Sequence, residues 1–171
     1  MGKKKDYREC LSTPFETGIR NFTSVANYFL YYAPNIDSAQ STGRIAAERS
    51  DLLMATMLDR VGLTKKTKII KKIQPKSWNS YGLNEDTLDF EISCIVMDKY
   101  GAETEFQALI RHLRNALAHG YVYVWKKRNG NFIFFKDFDT KKNKITAKIL
   151  VSMTILECWK ALIENEIAVG E

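Results

Sequence analysis

The stretch Arg111–Tyr121, RHLRNALAHGY, decides how this chain is interpreted. It contains both histidines of the sequence, together with two arginines, an asparagine and a tyrosine. Histidine is the side chain whose unperturbed pKa lies near neutral pH. Both imidazoles of the sequence therefore lie in this stretch. If the protein catalyses a reaction by proton transfer, we expect the reaction at this stretch.

The residues around this stretch have the spacing of an amphipathic helix, which we predict from Glu103 to Ala118. At roughly 100° per residue, one stripe should face the core. Its members are Phe106, Leu109, Ile110, Leu113, Ala116 and Leu117. The remaining side carries the polar groups, with one arginine on the flank. These groups are Arg111, His112, Asn115, His119 and, on the flank, Arg114.

One copy of this helix makes an incomplete pocket. Asn115 and His119 are neighbours on the helix surface, but Arg114 and His119 point roughly 140° apart. If two copies cross about a twofold axis, His119 of each can meet Arg114 or Asn115 of the other, because such a contact presents one patch to itself. The chemistry would then require a dimer.

A purely structural explanation of the same residues exists. Arginine and histidine near a helix C-terminus complement the negative end of its dipole, by about 0.3 to 1 kcal/mol. Gly120 is a common residue just past a helix end. On spacing alone, capping explains the stretch as well as catalysis does.

Helical spacing also dominates the first half of the chain. We predict a helix over Pro14–Tyr31 and a second that starts at Asp37 or Ser38 and ends near Gly62. Thr64 is predicted to cap a short basic helix, residues 65–73, whose lysines form a solvated face or bind phosphate. A loop should follow from Pro75 to Tyr81.

In the second half, a helix is predicted from Asn84 or Asp86 to Gly101, antiparallel to the helix that ends at Ala118. Residues 121–125 and 132–135 then alternate around the Asn129-Gly130 turn as a β-hairpin. A last helix is predicted over Thr146–Glu166. The expected fold is therefore mainly α, an antiparallel helical bundle with a small β-hairpin between its last two helices.

The size and charge of the chain narrow the possible functions. With 171 residues it should form a single domain, 1–171, with residues 1–12 as a flexible basic N-terminus. A net charge of +6 favours a polyanionic partner, nucleic acid before a membrane surface. No apolar run reaches the ~18 residues of a membrane span, so we expect a cytoplasmic protein. Cys10, Cys94 and Cys158 lack metal-site spacing, and no metal is expected.

The segment Leu113–Gly120, LRNALAHG, resembles the signature of HEPN domains (higher eukaryotes and prokaryotes nucleotide-binding), in which arginine, a polar residue and three further residues precede histidine. The run FIFFKD, residues 132–137, resembles a compact standalone branch of that family. The resemblance implies an HEPN-type helical bundle and a homodimer. It also implies a metal-independent endoribonuclease in toxin–antitoxin, phage-defence or RNA-processing systems.

The resemblance also assigns roles to individual residues. His119 would be the acid–base group, Arg114 the cation on the scissile phosphate, and Asn115 the group that orients the pair. RNA carries its own nucleophile, the 2′-hydroxyl, so no metal or cofactor is required. Arg111 and His112 could assist by supporting these three residues or by binding RNA.

Residues after the signature add further expectations. In some HEPN toxins a partner nucleotidyltransferase modifies a tyrosine two residues after the histidine, which makes Tyr121 a possible modification site and such an enzyme, or another antitoxin, a possible partner. Trp125, Lys126 and Lys127 could stack against and bind single-stranded RNA, although hairpin aromatics more often belong to the core.

Two other functions remain open from the sequence. One is a non-catalytic HEPN module that binds nucleotide or RNA or scaffolds a partner. The other is a helical domain with a purely structural role. The intact arginine–asparagine–histidine set favours the nuclease over both, and an RNA-cleavage assay with and without chelator separates them.

Overall fold

The computed structural model describes residues 18–35, 39–70, 78, 83, 93–127 and 130–170. Four α-helices lie in these ranges, the first extended by a π-helical turn over Tyr28–Tyr32. The helices are α1 Phe22–Asn27, α2 Ala47–Arg60, α3 Glu105–Ala118 and α4 Met153–Gly170. None of the helices in this part of the chain has the length and apolarity needed to cross a bilayer.

Five strands form one mixed sheet. The strands are β1 Thr67–Ile70, β2 Cys94–Asp98, β3 Val122–Lys127, β4 Gly130–Asp139 and β5 Lys144–Ser152. Their order across the sheet is β1-β2-β5-β4-β3. β1 runs parallel to β2, and the other neighbours are antiparallel. The sheet places β2 and β4 on either side of the central β5, so their ends lie close to the same helix.

The two faces of the sheet belong to different cores. Alternate residues such as Met97, Phe135 and Ile149 pack with the helices in the main core. The residues between them, including Val96, Phe134 and Leu150, pack on the other face against Trp78 and Leu83. Because both faces are covered, the central strands carry apolar residues on both sides, as is typical of a sheet buried on both sides.

The expected mainly α bundle with a small hairpin is therefore wrong. The hairpin is there, but it forms two strands of a five-stranded sheet that the helices cover on one face. The segments that supply the other three strands were assigned to helices. An apolar run buried on both faces places apolar residues at every spacing, including the helical i, i+3 and i+4.

Three predicted helices contain these strands. Residues 65–73 were expected to be helical, but Thr64–Lys66 make one 3₁₀ turn and the chain continues as β1. In the helix predicted to end at Gly101, residues 94–98 form β2, so no helix continues to Gly101 to lie antiparallel to α3. The helix predicted to begin at Thr146 starts only at Met153, after β5. β-branched residues are frequent in these strands and favour extended backbone.

Other predictions are confirmed. α3 follows the predicted Glu103–Ala118 closely, with Thr104 as its N-cap in a capping box with Gln107. The hairpin is antiparallel as predicted, and it pairs Val122 with Phe135. Gly62 ends α2 with φ +68°.

Several predictions from the sequence fall on residues outside the described ranges. These are the basic residues 1–12 with Cys10, the start of the first helix at Pro14, the alternative caps Asp37 and Ser38, the start at Asn84 or Asp86, and most of the loop from Pro75 to Tyr81. Residues 18–21 and 39–46 are described and are not helical, so the first two helices begin later than predicted, at Phe22 and at Ala47.

Candidate functional site

The C-terminus of α3 holds His119 in a defined position. Gly120 N–H donates to Leu117 O at 3.2 Å, and Tyr121 N–H donates to Ala116 O at 2.9 Å. These two bonds form a Schellman motif, which requires a left-handed residue after the C-cap. Gly120 supplies it with φ +72°. His119 is the C-cap itself, and its side chain is exposed.

The polar side of α3 is divided between surface and interior. The predicted apolar stripe from Phe106 to Leu117 is fully buried, as expected. Of the predicted catalytic residues, Arg114 and Asn115 are half-buried and His119 is exposed. His112 was expected to share their polar side, yet it is completely buried. The reason is that α3 lies on the sheet, and β2 and β4 cover the middle of its polar side.

His112 forms hydrogen bonds through both ring nitrogens. Nδ1 lies 2.7 Å from Oδ2 of Asp137 on β4, and Nε2 lies 2.9 Å from the main-chain oxygen of Asp98 on β2. A carbonyl oxygen and a carboxylate can only accept, so a hydrogen on each ring nitrogen satisfies both contacts. This arrangement favours the imidazolium form of His112.

The electrostatic surroundings agree with this protonation state. Burial opposes the charged ring, but hydrogen bonds to Asp137 and Asp98 outweigh it and raise the pKa of His112 above its ordinary 6.5. Burial also opposes the charge on Asp137, yet the bond from His112 holds the pKa of this carboxyl below its ordinary range. A ring fixed in this form cannot exchange a proton with a substrate, so His112 is excluded as the acid–base group.

Arg111 completes a buried set of charges. Its Nε and Nη2 donate to the two carboxylate oxygens of Glu103 at 2.7 and 3.0 Å, and its guanidinium carbon lies 4.3 Å from the ring centroid of Tyr100. Nη atoms of Arg111 also approach the His112 ring at 3.3 and 3.5 Å. The two cations can share this space because Glu103, Asp98 and Asp137 surround them.

Asn115 connects this interior to the surface. Its Nδ2 donates to Oδ2 of Asp137 at 3.3 Å, the same oxygen that accepts from His112. Asn115 is one turn before His119, so the pair stands on one side of the last two turns of α3. Asn115, a predicted site residue, is thereby hydrogen-bonded to Asp137, which the sequence analysis did not select.

Comparison with known proteins agrees with the signature. A family model described as HEPN pEK499 p136 matches residues 45–165, from the start of α2 almost to the end of α4. The chain belongs to this HEPN family. Comparison with curated proteins and with solved structures finds no match. The match confirms the family resemblance and supports a nuclease-related or nucleotide-binding module.

The predicted accessory residues of this HEPN chain lie in three kinds of place. Arg111 and His112 belong to the buried charges. Tyr121 is half-buried, with its ring 6.5 Å from that of His119 and 6.3 Å from that of Phe138. The backbone of β3 includes residues 125–127, but the side chains of Trp125, Lys126 and Lys127 lie outside the described structure.

Sequence reasoning missed Asp98 and Asp137. Asp98 was placed in a predicted helix but lies at the end of β2, and Asp137 ends the FIFFKD run that resembles one branch of the family. That resemblance was the one signal in the sequence that pointed to Asp137. The structure gives this residue a role in the bond to His112. Both carboxylates already neutralise cations, and in the part of the chain that the structure describes no three His, Cys, Asp or Glu side chains are grouped to hold a metal.

Proposed function

We propose that this HEPN protein is a metal-independent endoribonuclease that acts as a homodimer with a composite site of Arg114, Asn115 and His119. The observation that carries the proposal is the difference between the two histidines. His112 is locked as a buried cation, whereas His119 stands exposed at a rigid helix end beside Asn115. An exposed imidazole at this place is free to transfer protons.

The proposed reaction uses the nucleophile that RNA supplies. His119 accepts the proton of the 2′-hydroxyl as that oxygen attacks the adjacent phosphorus, and a proton returns to the departing 5′ oxygen. Arg114 stabilises the negative charge that develops on the phosphoryl oxygens. The products are a 2′,3′-cyclic phosphate and a 5′-hydroxyl. Proton transfer of this kind contributes typically 10²- to 10⁴-fold to a rate.

The dimer follows from the directions of the two charged side chains. Arg114 and His119 point roughly 140° apart on one helix, so a second copy brings the missing member of each pair. The net charge of +6 suits a polyanionic substrate.

The first experiment is cleavage of labelled single-stranded RNA with chelator present. We expect wild type to cleave and His119→Ala to lose activity by at least about 10²-fold, while its helical circular dichroism is unchanged. Cleavage by His119→Ala at the wild-type rate contradicts the proposed site. Cleavage that stops on chelation contradicts the proposed mechanism. RNA binding without cleavage supports a non-catalytic module instead.

The composite site is tested by mixing two inactive variants. Arg114→Ala retains His119, and His119→Ala retains Arg114, so a mixed dimer has one intact pair. After unfolding and joint refolding at equal concentrations, about a quarter of wild-type activity should return if each site takes one residue from each subunit. No recovery, or a monomeric mass by light scattering, contradicts the composite site.

We also propose a role in toxin–antitoxin, phage-defence or RNA-processing systems, with Tyr121 as a site of control by a nucleotidyltransferase. A nucleotide added to the Tyr121 phenol would stand beside the His119 ring, 6.5 Å away, and obstruct substrate. Expression should arrest cell growth in wild type and not in His119→Ala. Growth arrest that persists in His119→Ala contradicts this role.

A further inference from the structure

One oxygen atom holds two side chains of α3 in place. Oδ2 of Asp137 accepts from Nδ1 of His112 at 2.7 Å and from Nδ2 of Asn115 at 3.3 Å. Asp137 is 4 % exposed and His112 is fully buried. The carboxylate therefore stands between a buried cation and a residue of the proposed site.

The carboxylate itself has little freedom to move. His112 is fixed on its other side by the main-chain oxygen of Asp98 at 2.9 Å. Nη1 of Arg111 lies 3.9 Å from Oδ2 of Asp137, and the hydroxyl of Thr146 donates to the main-chain oxygen of the same residue at 3.3 Å. Contacts from α3 and β5 thus hold Asp137 in one position, and β2 holds His112 against it.

A fixed carboxylate determines which way the Asn115 amide faces. A carboxylate has no hydrogen to donate, so the amide atom beside it must be the NH₂ group. The carbonyl oxygen Oδ1 then lies on the other branch of the amide, away from Asp137. Asn115 offers an acceptor to whatever binds beside His119.

We propose that Asp137 is a positioning residue that holds Asn115 so that its Oδ1 accepts a hydrogen bond from the ribose 2′-hydroxyl of the substrate. This inference rests on the proposed ribonuclease function and assigns the part of the substrate that Asn115 contacts. The 2′-hydroxyl is the hydrogen-bond donor at the reacting centre of RNA, and it distinguishes RNA from DNA. The hydroxyl has a single hydrogen, which Oδ1 shares with the His119 imidazole until His119 removes it, so Asn115 orients the 2′ oxygen towards the phosphorus and does not replace the base.

The effect should appear in the rate of the chemical step. The phosphate contacts that dominate binding do not involve Asp137. A nucleophile displaced by about 1 Å costs roughly 10²-fold in rate. We therefore expect loss of the Asp137 carboxylate to lower kcat by roughly that factor and to leave KM within about twofold.

The test compares Asp137→Asn with Asp139→Asn. Both replace a β4 carboxylate by an amide, but Asp139 pairs with Lys142 in the exposed loop that follows β4. Asp137→Asn should lower kcat on RNA, and Asp139→Asn should not. In ¹H–¹⁵N spectra the side-chain amide signals of Asn115 should move in Asp137→Asn and remain at their wild-type positions in Asp139→Asn.

The two readouts separate this inference from the proposed function. If wild type cleaves RNA but Asp137→Asn has the kcat of Asp139→Asn, the inference is overturned and the nuclease stands. If the Asn115 amide signals are the same in Asp137→Asn and wild type, the positioning is overturned whatever the activity. If wild type does not cleave RNA in the assay with His119→Ala, the nuclease itself fails, and the 2′-hydroxyl contact fails with it.

Asn115→Asp tests the same contact if Asp137→Asn does not fold. The introduced carboxyl keeps an acceptor for the 2′-hydroxyl but cannot donate to Asp137 when ionised, so kcat should fall roughly 10²-fold at neutral pH. His112 and Arg111 keep Asp137 ionised, so added protons go to the introduced carboxyl, which can then donate. The ratio of variant to wild-type kcat should rise as the pH falls. A wild-type kcat at neutral pH overturns the inference.

Discussion

The two histidines of α3 are seven residues apart, and the structure treats them in opposite ways. His112 is buried between β2 and β4, with an acceptor on each ring nitrogen. His119 is exposed at the C-cap, beside the ring of Tyr121. The first therefore contributes a positive charge to the interior, and we propose that the second takes part in proton transfer. The two histidines lie on the same face of the helix, and their different roles come from the groups that contact each ring.

Replacing each histidine by alanine gives the largest contrast. His112→Ala removes the cation that lies 2.7 Å from Asp137 Oδ2, and breaking a buried pair in this way costs about 3 to 5 kcal/mol. His119→Ala removes an exposed side chain and should change the free energy of unfolding by no more than about 0.5 kcal/mol. Urea unfolding of the two variants measures both values. Equal losses of stability would show that His112 is not held as described.

The pH dependence of stability should carry the sign of the His112 charge. Its folded pKa is raised above 6.5, so its contribution is complete below that pH and is lost as the pH rises through the folded pKa. Asp137 has a lowered pKa, so its contribution is present above 3.8 and is lost as the pH falls through its folded pKa.

The measurement for this prediction is urea unfolding of wild type and His112→Gln from pH 4 to 9. The difference in unfolding free energy should be greatest between the ordinary pKa values of the two groups and should shrink towards alkaline pH. A difference that grows as the pH rises through neutrality would mean that the buried ring is neutral.

Gly120 determines the position of His119, and its replacement should have a smaller effect. A Cβ at Gly120 meets no atom within 4 Å, so the cost of Gly120→Ala is the backbone strain at φ +72°. That strain amounts to about 1 to 2 kcal/mol. Gly120→Asn is the matched control, because asparagine tolerates this region better. Thermal unfolding should rank glycine above asparagine and asparagine above alanine, and a stable Gly120→Ala would contradict the Schellman motif.

An exposed ion pair should give the smallest effect. Arg49 Nη2 lies 2.7 Å from Oε1 of Glu166, the same distance as that between His112 Nδ1 and Asp137 Oδ2. Exposed pairs contribute about 0.2 to 1 kcal/mol, because water screens the charges. Arg49→Met should therefore lower the free energy of unfolding by no more than about 1 kcal/mol in urea. The difference from wild type should be smaller in high salt. A loss as large as that of His112→Ala would mean that distance outweighs burial here.

The fold could be predicted from the sequence where the local pattern fits only one kind of element. α3 has one apolar stripe, and the hairpin has a turn signal at Asn129-Gly130, so both were found. β2 and β5 are covered on both faces, and their apolar residues fit helical spacing as well as they fit a strand. Periodicity cannot choose between the two in such segments.

A candidate site could be selected from the sequence where its residues are adjacent. Arg114, Asn115 and His119 were selected because their signature is local. Asp98 and Asp137 come from two strands that meet α3 only in the folded sheet, and sequence spacing contains no record of that meeting. The burial of His112 had to be missed for the same reason.

The peptide unit of Tyr121 has a mechanical consequence for His119. Its N–H is bonded to Ala116 O in α3, and its carbonyl accepts from Lys136 N–H in β4 at 3.0 Å. The link between helix and hairpin is therefore tied at both ends and contains no slack. In the proposed ribonuclease, movement of His119 is therefore limited to rotation about its side-chain torsions. The RNA strand has to adjust its own position to reach the imidazole.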